Sequence, residues 1–436
     1  MQTSLETIGQ LERRLNMAVP LAEIESEVDK RLKRLAKNVK IAGFRPGKVP
    51  MKMVLAQYGG QVRSDVISDA LQSTFSDAVR AQNLRVAGNP RIEPRQDAAT
   101  PDQLEFSAVF EVYPEVRVGD LSDVVIERPV AAVGPEDIDH TLDVLCKQRT
   151  RYEHVTRPAA SGDRVIVDFS GRIDGEEFPG GQAKDFAIVI GEAAMLPEFE
   201  AAVTGIAEGE TKTFGLMFPA DYHGKEVAGK QAEFTLTAKV VSAPHVPPVD
   251  RAFALAFGIA SGSVDDLRSE VEANLRLELK RKIETKVRGQ ALTALRRKAE
   301  FAVPKSLVEA EAQNMAQRMA ADLAQKGMKP SELALSPDLF RPNAEERVAL
   351  GLVVAEVVRN EKLQARPEQV RAVVDEAAQT FEQPEAVVRW HYEKPERLAE
   401  FEMQALERNV VDWVLARAKV EDRPATFAEL MGPTGS

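Results

Sequence analysis

The chain has 436 residues, of which 44% are hydrophobic and 29% charged, a composition typical of a globular protein with several domains. Its one cysteine, Cys146, excludes an internal disulfide framework and a cysteine-based zinc cluster, which favours a reducing compartment. The five histidines lack ligand spacing, and no apolar run reaches the ~20 residues that a membrane span needs. We therefore expect a cytoplasmic protein with no membrane partner, no metal and no cofactor.

Charge is distributed unevenly along the chain. Residues 1–63 contain 12 Lys and Arg against 6 Asp and Glu, although the whole chain has a net charge of −11. A basic module on an acidic body indicates that this end of the chain meets a polyanion. The alternative is an ordinary solvated helix face, and charge alone leaves both interpretations open.

The first predicted domain is an α+β domain over residues 1–113. Alternating apolar residues fit one strand around 11–19 and a second strand around 104–112. Between them, apolar residues at spacings of three and four predict a helix over 21–39, and a second helix follows around 62–79. Lysines and arginines occupy the other positions of the first helix, which predicts a basic outer surface.

The rest of the chain changes character twice. Residues 114–161 contain four prolines and one short amphipathic helix, which predicts an extended connector. Residues 162–243 contain short alternating strands separated by glycines, which predicts a compact β-rich domain. Residues 244–436 have helical periodicity. These helices could pack as a bundle or extend as arms with apolar faces open to solvent, and periodicity leaves both open.

A short loop after the first basic helix combines groups that suit docking. From Gly43 to Pro50 it holds an aromatic residue, Phe44, and two cations, Arg45 and Lys48, between glycines and prolines. Exposed together, these groups could contact RNA phosphate and a protein surface at once. The same residues also fit an ordinary connection between helices with Phe44 buried.

This loop resembles the ribosome-docking signature of the bacterial trigger factor family, G-F-R-x-G-x-x-P after a basic amphipathic helix. The resemblance implies contact with the large ribosomal subunit beside the tunnel exit, with both protein and rRNA as partners. The implied contact residues are Gly43, Phe44, Arg45, Gly47, Lys48 and Pro50. Pro46 occupies a position where many members have lysine, so the signature has one positive charge fewer here.

The β-rich domain carries a second resemblance. The runs Val167 to Gly171, Asp174 to Phe178 and Leu196 to Glu200 follow one another in an order similar to FKBP-type prolyl isomerases. The resemblance implies a proline-binding cleft, with His223 at its rim, lined by Phe169, Phe178, Phe186, Met195, Leu196, Phe199, Tyr222 and Phe234. Phe199 stands where small free-standing members commonly have tryptophan. On strand periodicity alone, the same phenylalanines read as plain core.

The reaction implied by this resemblance needs no nucleophile. The peptide C–N bond resists rotation by ~18–20 kcal/mol because of its partial double-bond character, and X–Pro bonds populate both isomers. The twisted transition state has lost amide resonance and is less polar than the planar ground state. An aromatic cleft that removes water from the imide therefore favours the twisted form. Asp168, Glu177 and Tyr222 are candidates for orienting the substrate by hydrogen bonds.

The resemblance to trigger factor spans the whole chain. It implies a multidomain α+β fold with an N-terminal α+β ribosome-binding domain, an FKBP-like β-rich isomerase domain and a C-terminal all-α domain with helical arms. It also implies a chaperone that binds nascent and unfolded polypeptides, isomerises X–Pro bonds and assists folding and export. No nucleotide motif is visible, so release of clients is expected to need no ATP.

By analogy, the C-terminal helices hold unfolded chains on an apolar face. The expected client-binding residues are Met315, Met319, Leu323, Val353, Val354 and Val357, although the same residues also fit a core. A weak homodimer away from the ribosome is left open. Two other functions compete with this interpretation: a dedicated prolyl isomerase with targeting domains, and an RNA-binding protein whose first helix acts without a ribosome.

Overall fold

The computed structural model describes residues 3–39, 49–95, 102–192, 195–220, 222, 224, 226–328, 335–379, 381 and 383–432. The chain divides into two compact units. The first unit contains residues 1–128 and 286–421, and the second contains residues 129–285 and 422–436. Three elements carry the chain across the boundary between them: β6 (Val125–Val130), α6 (Val264–Arg297) and β13 (Lys419–Pro424).

The first unit begins with an antiparallel sheet in the order β1-β2-β4-β3. Its strands are β1 (Thr3–Thr7), β2 (Glu12–Pro20), β3 (Val86–Pro94) and β4 (Gln103–Val112), and its helices are α1 (Leu21–Asn38) and α2 (Met51–Ala81). Alternate residues of β2 point inward, where Leu15, Met17 and Val19 are buried. Phe75 of α2 meets Phe110 of β4 edge to face, with ring centroids 5.1 Å apart. The predicted α+β architecture of this region is confirmed.

The C-terminal end of α1 and the N-terminal end of α2 form a small core of their own. Leu32 and Val39 pack there with Val49 and Val54. The predicted docking residues Gly43, Phe44, Arg45, Gly47 and Lys48 lie outside the described residues, whereas Pro50 directly precedes α2. Val39 and Val49 are both buried in this core.

The helices in the rest of the first unit form separate small cores. The remaining elements of this unit are β5 (Arg117–Val118), β12 (Ala299–Glu300), α7 (Lys305–Gln325), α8 (Arg341–Glu361), α9 (Pro367–Ala378), α10 (Pro384–Tyr392) and α11 (Ala399–Leu415), with single 3₁₀ turns at Pro337–Phe340 and Pro395–Arg397. One core joins Val308 and Ala312 of α7 to Ala344 of α8. Another joins α9, α10 and α11 around Val374 and Phe401.

A carboxylate of the N-terminal sheet caps helix α7. Glu111 of β4 accepts hydrogen bonds from the backbone amides of Lys305 and Ser306, at 3.1 and 2.7 Å. The hydroxyl of Ser306 also lies 2.7 Å from this carboxylate. A negative group at a helix N-terminus satisfies free backbone donors and interacts favourably with the helix dipole. The sheet is thus joined to a helix that lies far from it in the sequence.

The second unit contains the β-rich domain. An antiparallel sheet runs in the order β10-β11-β8-β9, with β7 paired to β11. The elements in chain order are α3 (Pro135–Gln148), β7 (Arg151–His154), β8 (Arg164–Ile173), β9 (Glu176–Val189), α4 (Pro197–Val203), β10 (Thr211–Met217), β11 (Gln231–His245), α5 (Arg251–Ala256) and α12 (Phe427–Met431). A second core packs Ile138 of α3 and Phe427 of α12 with Leu267 and Leu275 of α6.

A buried ion pair anchors the start of β8. Asp163 has a side chain only 1% exposed, and Arg157 reaches both of its carboxylate oxygens at 2.6 and 3.0 Å. The amide of Ala160 donates a further bond at 2.8 Å. Burial by itself raises the pKa of Asp163, but the bonds from Arg157 and Ala160 outweigh it and hold the pKa below its ordinary value.

We predict that Arg157→Gln destabilises the β-rich domain in a pH-dependent way. At neutral pH the variant should be less stable than the parent chain, although by less than the loss of a fully buried pair would cost, because the side chain of Arg157 is 48% exposed. Since the folded state has the lower pKa, the pair stabilises the fold above about pH 3.9, and this contribution disappears as the pH falls through the folded-state pKa. The difference between variant and parent should therefore shrink below about pH 4.

Hydrogen exchange of the β8 amides, corrected for intrinsic exchange rates, measures this difference at each pH. Arg172→Gln on the same strand is the matched control, because its partner Glu177 is exposed and should contribute little. A difference that persists unchanged down to about pH 2 would contradict the prediction.

Candidate active site

A connected cluster of aromatic rings occupies one side of the five-stranded sheet. The rings come from separate elements: Phe169 from β8, Phe178 and Phe186 from β9, Phe199 from α4, and Phe234 from β11. Alternation along β8 directs Phe169 to the same side as the buried valines Val165 and Val167. Helix α4 begins at Pro197 and is only seven residues long, which is enough to bring Phe199 onto the sheet.

The centre of the cluster is fully packed. Phe199 and Phe234 are 1% and 5% exposed, and their ring centroids are 5.7 Å apart in an edge-to-face arrangement. Phe169 adds an edge-to-face contact with Phe199 at 5.3 Å and a tilted contact with Phe234 at 6.0 Å. These geometries are favoured by the ring quadrupoles and add to the burial energy. Together, Phe199 and Phe234 form a rigid floor.

The outer rings of the cluster are accessible. Phe186 is 39% exposed and meets Phe169 edge to face at 5.7 Å. The partly buried members expected from the sequence are Phe169, Phe178, Met195, Leu196 and Tyr222. Exposure thus increases from the floor outward, as an apolar cleft for a proline ring requires. His223 lies outside the described residues.

Two rings of the cluster were not among the predicted site residues. Phe214 of β10 stacks on Phe234 at 6.0 Å, and Phe218 meets Tyr222 at 4.9 Å and Phe178 at 6.0 Å. Their alternation with Leu216 shows in the sequence, so the strand itself was predictable. The pairing of β10 with β11, which brings these rings beside Phe234, could not be predicted from the sequence.

The two carboxylates expected to orient a substrate have partners within the protein. Asp168 accepts a hydrogen bond from the amide of Asp185 at 2.8 Å and pairs with Lys239 at 3.2 Å. The bond from the Asp185 amide is the main cause that lowers the pKa of Asp168, followed by Lys239. Glu177 pairs with Arg172 at 3.5 Å. The placement therefore favours an apolar mechanism in which these carboxylates support the strands.

The predicted client-binding residues are only partly accessible. Met319 is 42% exposed, and Met315, Leu323 and Val354 are partly buried. Val353 and Val357 are 0% and 3% exposed, so these two valines pack into the interior and do not form part of an open face. Helical spacing correctly grouped them on one side of α8, but that side faces inward.

A further apolar groove lies between α9 and α11 and was not predicted. It has a volume of about 590 Å³, and the exposed side chains of Met403 and Tyr392 stand at its edge. The groove is lined by Ala365, Pro367, Val370, Tyr392, Leu398, Ala399, Glu402, Met403 and Leu406. The sequence signal for it was a group of aromatic residues near these helices, together with Met403.

The antiparallel sheet, the short helix α4 and the graded aromatic cluster define an FKBP-type prolyl isomerase domain within a larger helical protein. The family described as "FKBP-type peptidyl-prolyl cis-trans isomerase" matches residues 155–240. Residues 1–145 match "Bacterial trigger factor protein (TF)", and residues 263–416 match its C-terminus.

Curated relatives agree over the full length. Proteins named trigger factor from Aromatoleum aromaticum and Azoarcus sp. are 54% and 51% identical, each covering 99% of this chain and 99% of the relative. A solved structure titled "Promiscuous Substrate Recognition in Folding and Assembly Activities of the Trigger Factor Chaperone" aligns with 18% identity and a TM-score of 0.48, covering 95% of this chain and 99% of that chain.

The chain belongs to the bacterial trigger factor family. It is a chaperone that carries a peptidyl-prolyl cis-trans isomerase domain, and the multidomain α+β fold expected from the sequence is confirmed. The two competing functions, a dedicated isomerase and an independent RNA-binding protein, are not favoured. Within the described ranges, no helix is both long and apolar enough to cross a bilayer.

We predict that the exposed and buried rings of the cluster respond differently to truncation. Phe186→Ala should lower kcat/KM for an X–Pro peptide about tenfold, because it removes part of an apolar wall, while changing stability little. Phe199→Ala should destabilise the domain by about 3–5 kcal/mol, because it leaves a cavity in the floor.

A protease-coupled isomerisation assay and hydrogen exchange of β8 separate these two effects. Met217→Ala is the control, since Met217 is 55% exposed on the same sheet and is not part of the cluster. Equal activity of Phe186→Ala and Met217→Ala would argue against a cleft at Phe186.

Proposed function

We propose that this chaperone works in the cytoplasm at the large ribosomal subunit, beside the tunnel exit, where it binds nascent polypeptides without ATP. Residues 1–113 anchor it, residues 162–243 isomerise X–Pro bonds, and residues 244–436 hold unfolded segments, with residues 114–161 as the connector. The observation that carries the isomerase part of the proposal is the aromatic cluster with its buried floor and accessible rim. It offers a dry, apolar surface to a proline ring.

The isomerase mechanism follows from this surface. Phe199 and Phe234 form the floor beneath the substrate, and Phe169, Phe178, Phe186, Met195, Leu196 and Tyr222 surround it. His223 lies outside the described residues and belongs to the proposal through the family resemblance alone. Because the twisted imide is less polar than the planar one, loss of water stabilises the transition state relative to the ground state. Asp168 contributes by fixing the β8–β9 pair through Asp185 and Lys239.

Anchoring is assigned to the loop that contains Gly43, Phe44, Arg45, Gly47, Lys48 and Pro50. Two features of the described residues support it. The loop leaves from a small packed core, since Val39 and Val49 are both buried, so the anchor is presented by a rigid base. In addition, α1 displays exposed lysines, such as Lys30 and Lys33, whose pairs with acidic residues of the same helix are weak. A cationic surface of this kind suits rRNA phosphate.

We predict that the double variant Phe44→Ala and Arg45→Ala loses ribosome binding. Aromatic and arginine anchors contribute about 2 kcal/mol or more each at interfaces, so affinity should fall by at least about a hundredfold. Pelleting of the protein with ribosomes measures the bound fraction, and raising the salt concentration should reduce it further for the parent chain.

The control is Arg91→Ala, which removes an exposed arginine from β3 of the same domain and should pellet normally. Unchanged pelleting of the loop variant would refute the anchor and would favour nucleic-acid binding by α1 alone.

Client binding is assigned to the accessible apolar residues of the helical region. Of the face expected from the sequence, Met315, Met319, Leu323 and Val354 remain in the proposal, and the groove at Tyr392 and Met403 is added to it. Unbranched, polarisable methionines adapt to many partners and so suit weak, sequence-tolerant binding. The same surfaces could take a second copy away from the ribosome, so the proposal includes a weak homodimer.

We predict that the double variant Met319→Ser and Met403→Ser binds an unfolded polypeptide about tenfold more weakly, because both side chains lose apolar area at the contact. Fluorescence anisotropy with a labelled, permanently unfolded chain measures this affinity. Met217→Ser removes a similarly exposed methionine from the isomerase domain and should bind normally. An equal loss in both variants would refute a specific role of the helical region.

A further inference from the structure

Strand β9 bulges where it passes the aromatic cluster. Arg172 of β8 is opposite Glu177 of β9, and Ser170 is opposite Gln182. Gly171 alone therefore faces the run from Phe178 to Gly181. Such a bulge bends a strand and redirects a side chain, and here the redirected side chain is the ring of Phe178.

The ring of Phe178 folds back over its own strand. It makes edge-to-face contacts with Phe218 at 6.0 Å and Phe234 at 6.1 Å. In this position it also covers Gly181. A Cβ atom built on Gly181 would lie 2.8 Å from Cζ of Phe178 and 3.0 Å from both of its Cε atoms. These distances are too short for any side chain at 181 unless the ring moves.

The two glycines of the bulge have different tasks. Gly180 has a φ of 80°, a left-handed conformation that favours glycine, so it provides the turn. Gly181 has no positive φ, so its backbone would accept other residues. What requires glycine at 181 is therefore the space taken by the ring.

A similar clearance exists on the opposite strand. A Cβ atom on Gly171 would lie 2.5 Å from Cε1 of Phe234. Both glycines thus leave room for an aromatic ring, one for the floor and one for the wall. Gly181 is the better test because Phe178 is only partly buried and can move without opening the core.

We propose that Gly181 is a positioning residue for prolyl isomerisation, which holds the Phe178 ring at the wall of the cleft by lacking a side chain beneath it. This inference rests on the cleft proposed above. A substrate imide loses its water only if the wall lies at van der Waals distance, so a ring displaced by a fraction of an ångström weakens the transition-state contact.

A double-mutant cycle in the full chain tests the proposal. Gly181→Ala should lower kcat/KM for an X–Pro peptide about tenfold, since small displacements at an active site have effects of this order or larger. Phe178→Leu removes the ring atoms that a Cβ at 181 would touch. Gly181→Ala should therefore have less than about a twofold effect in the Phe178→Leu background.

Gly215→Ala is the matched control. Gly215 lies on β10 of the same sheet, and a Cβ there would meet only Nε2 of Gln231 at an ordinary 3.5 Å. Its isomerase activity should equal that of the parent chain. Binding of an unfolded polypeptide should be unchanged in every variant of the cycle, which confirms that the chain remains folded and active as a chaperone.

Each other outcome overturns the proposal. If Gly181→Ala lowers kcat/KM equally in the parent and in the Phe178→Leu background, the ring is not what requires glycine at 181. The same conclusion follows if the double variant Gly181→Ala and Phe178→Leu fails to fold. If Gly181→Ala leaves kcat/KM unchanged while Phe178→Leu lowers it, the cleft is retained, but Gly181 has no positioning role. If neither substitution changes the activity, the cleft itself is misplaced.

Discussion

The aromatic rings of the isomerase domain have to fill its interior and also leave an apolar surface for a substrate. Phe234 resolves this conflict, because it lies within ring contact of Phe169, Phe178, Phe199, Phe214 and Phe218. Its burial makes the floor rigid, so the outer rings keep their places although one side of each faces solvent. A cleft made of flexible aliphatic residues would collapse onto itself, since nothing would fix its walls.

In the first unit, the contact between Glu111 and helix α7 fixes the position of one element against another, as Phe234 does in the isomerase domain. It joins a sheet strand to the start of a helix through hydrogen bonds to two consecutive backbone amides. A residue with a Cβ at position 88 would come within 2.7 Å of the Ser306 hydroxyl, so Gly88 allows the close approach on the other side of Ser306. Because the cap is charged and directional, it fixes an angle as well as a distance. The sheet and α7 therefore belong to one compact unit despite their separation in sequence.

Local patterns predicted the elements well, and most residues of the aromatic cluster could be named from strand alternation together with the family order. Phe169, Phe178, Phe199 and Phe234 were all expected, and the structure brings them into one cluster. The bulge at Phe178 to Gly181 was not predicted, because it depends on which β8 residue each β9 residue pairs with, and register is set by non-local packing. Whether Val353 and Val357 belong to a core or to an open face was left undecided by the sequence for a related reason. Periodicity identifies a shared helix face but does not tell whether a neighbouring helix covers it.

The exposed apolar residues of the helical region follow from its small cores. Within the described residues, the cluster between α7 and α8 contains three buried side chains, Val308, Ala312 and Ala344, two of which are alanines. A pair of helices can bury only the sides that face each other, so apolar residues elsewhere on the pair stay in contact with water unless another chain covers them. Met319 of α7 and Met403 of α11 are in this position. Exposure of this kind would be a liability in an ordinary enzyme, and it fits the client-binding role proposed for the helical region.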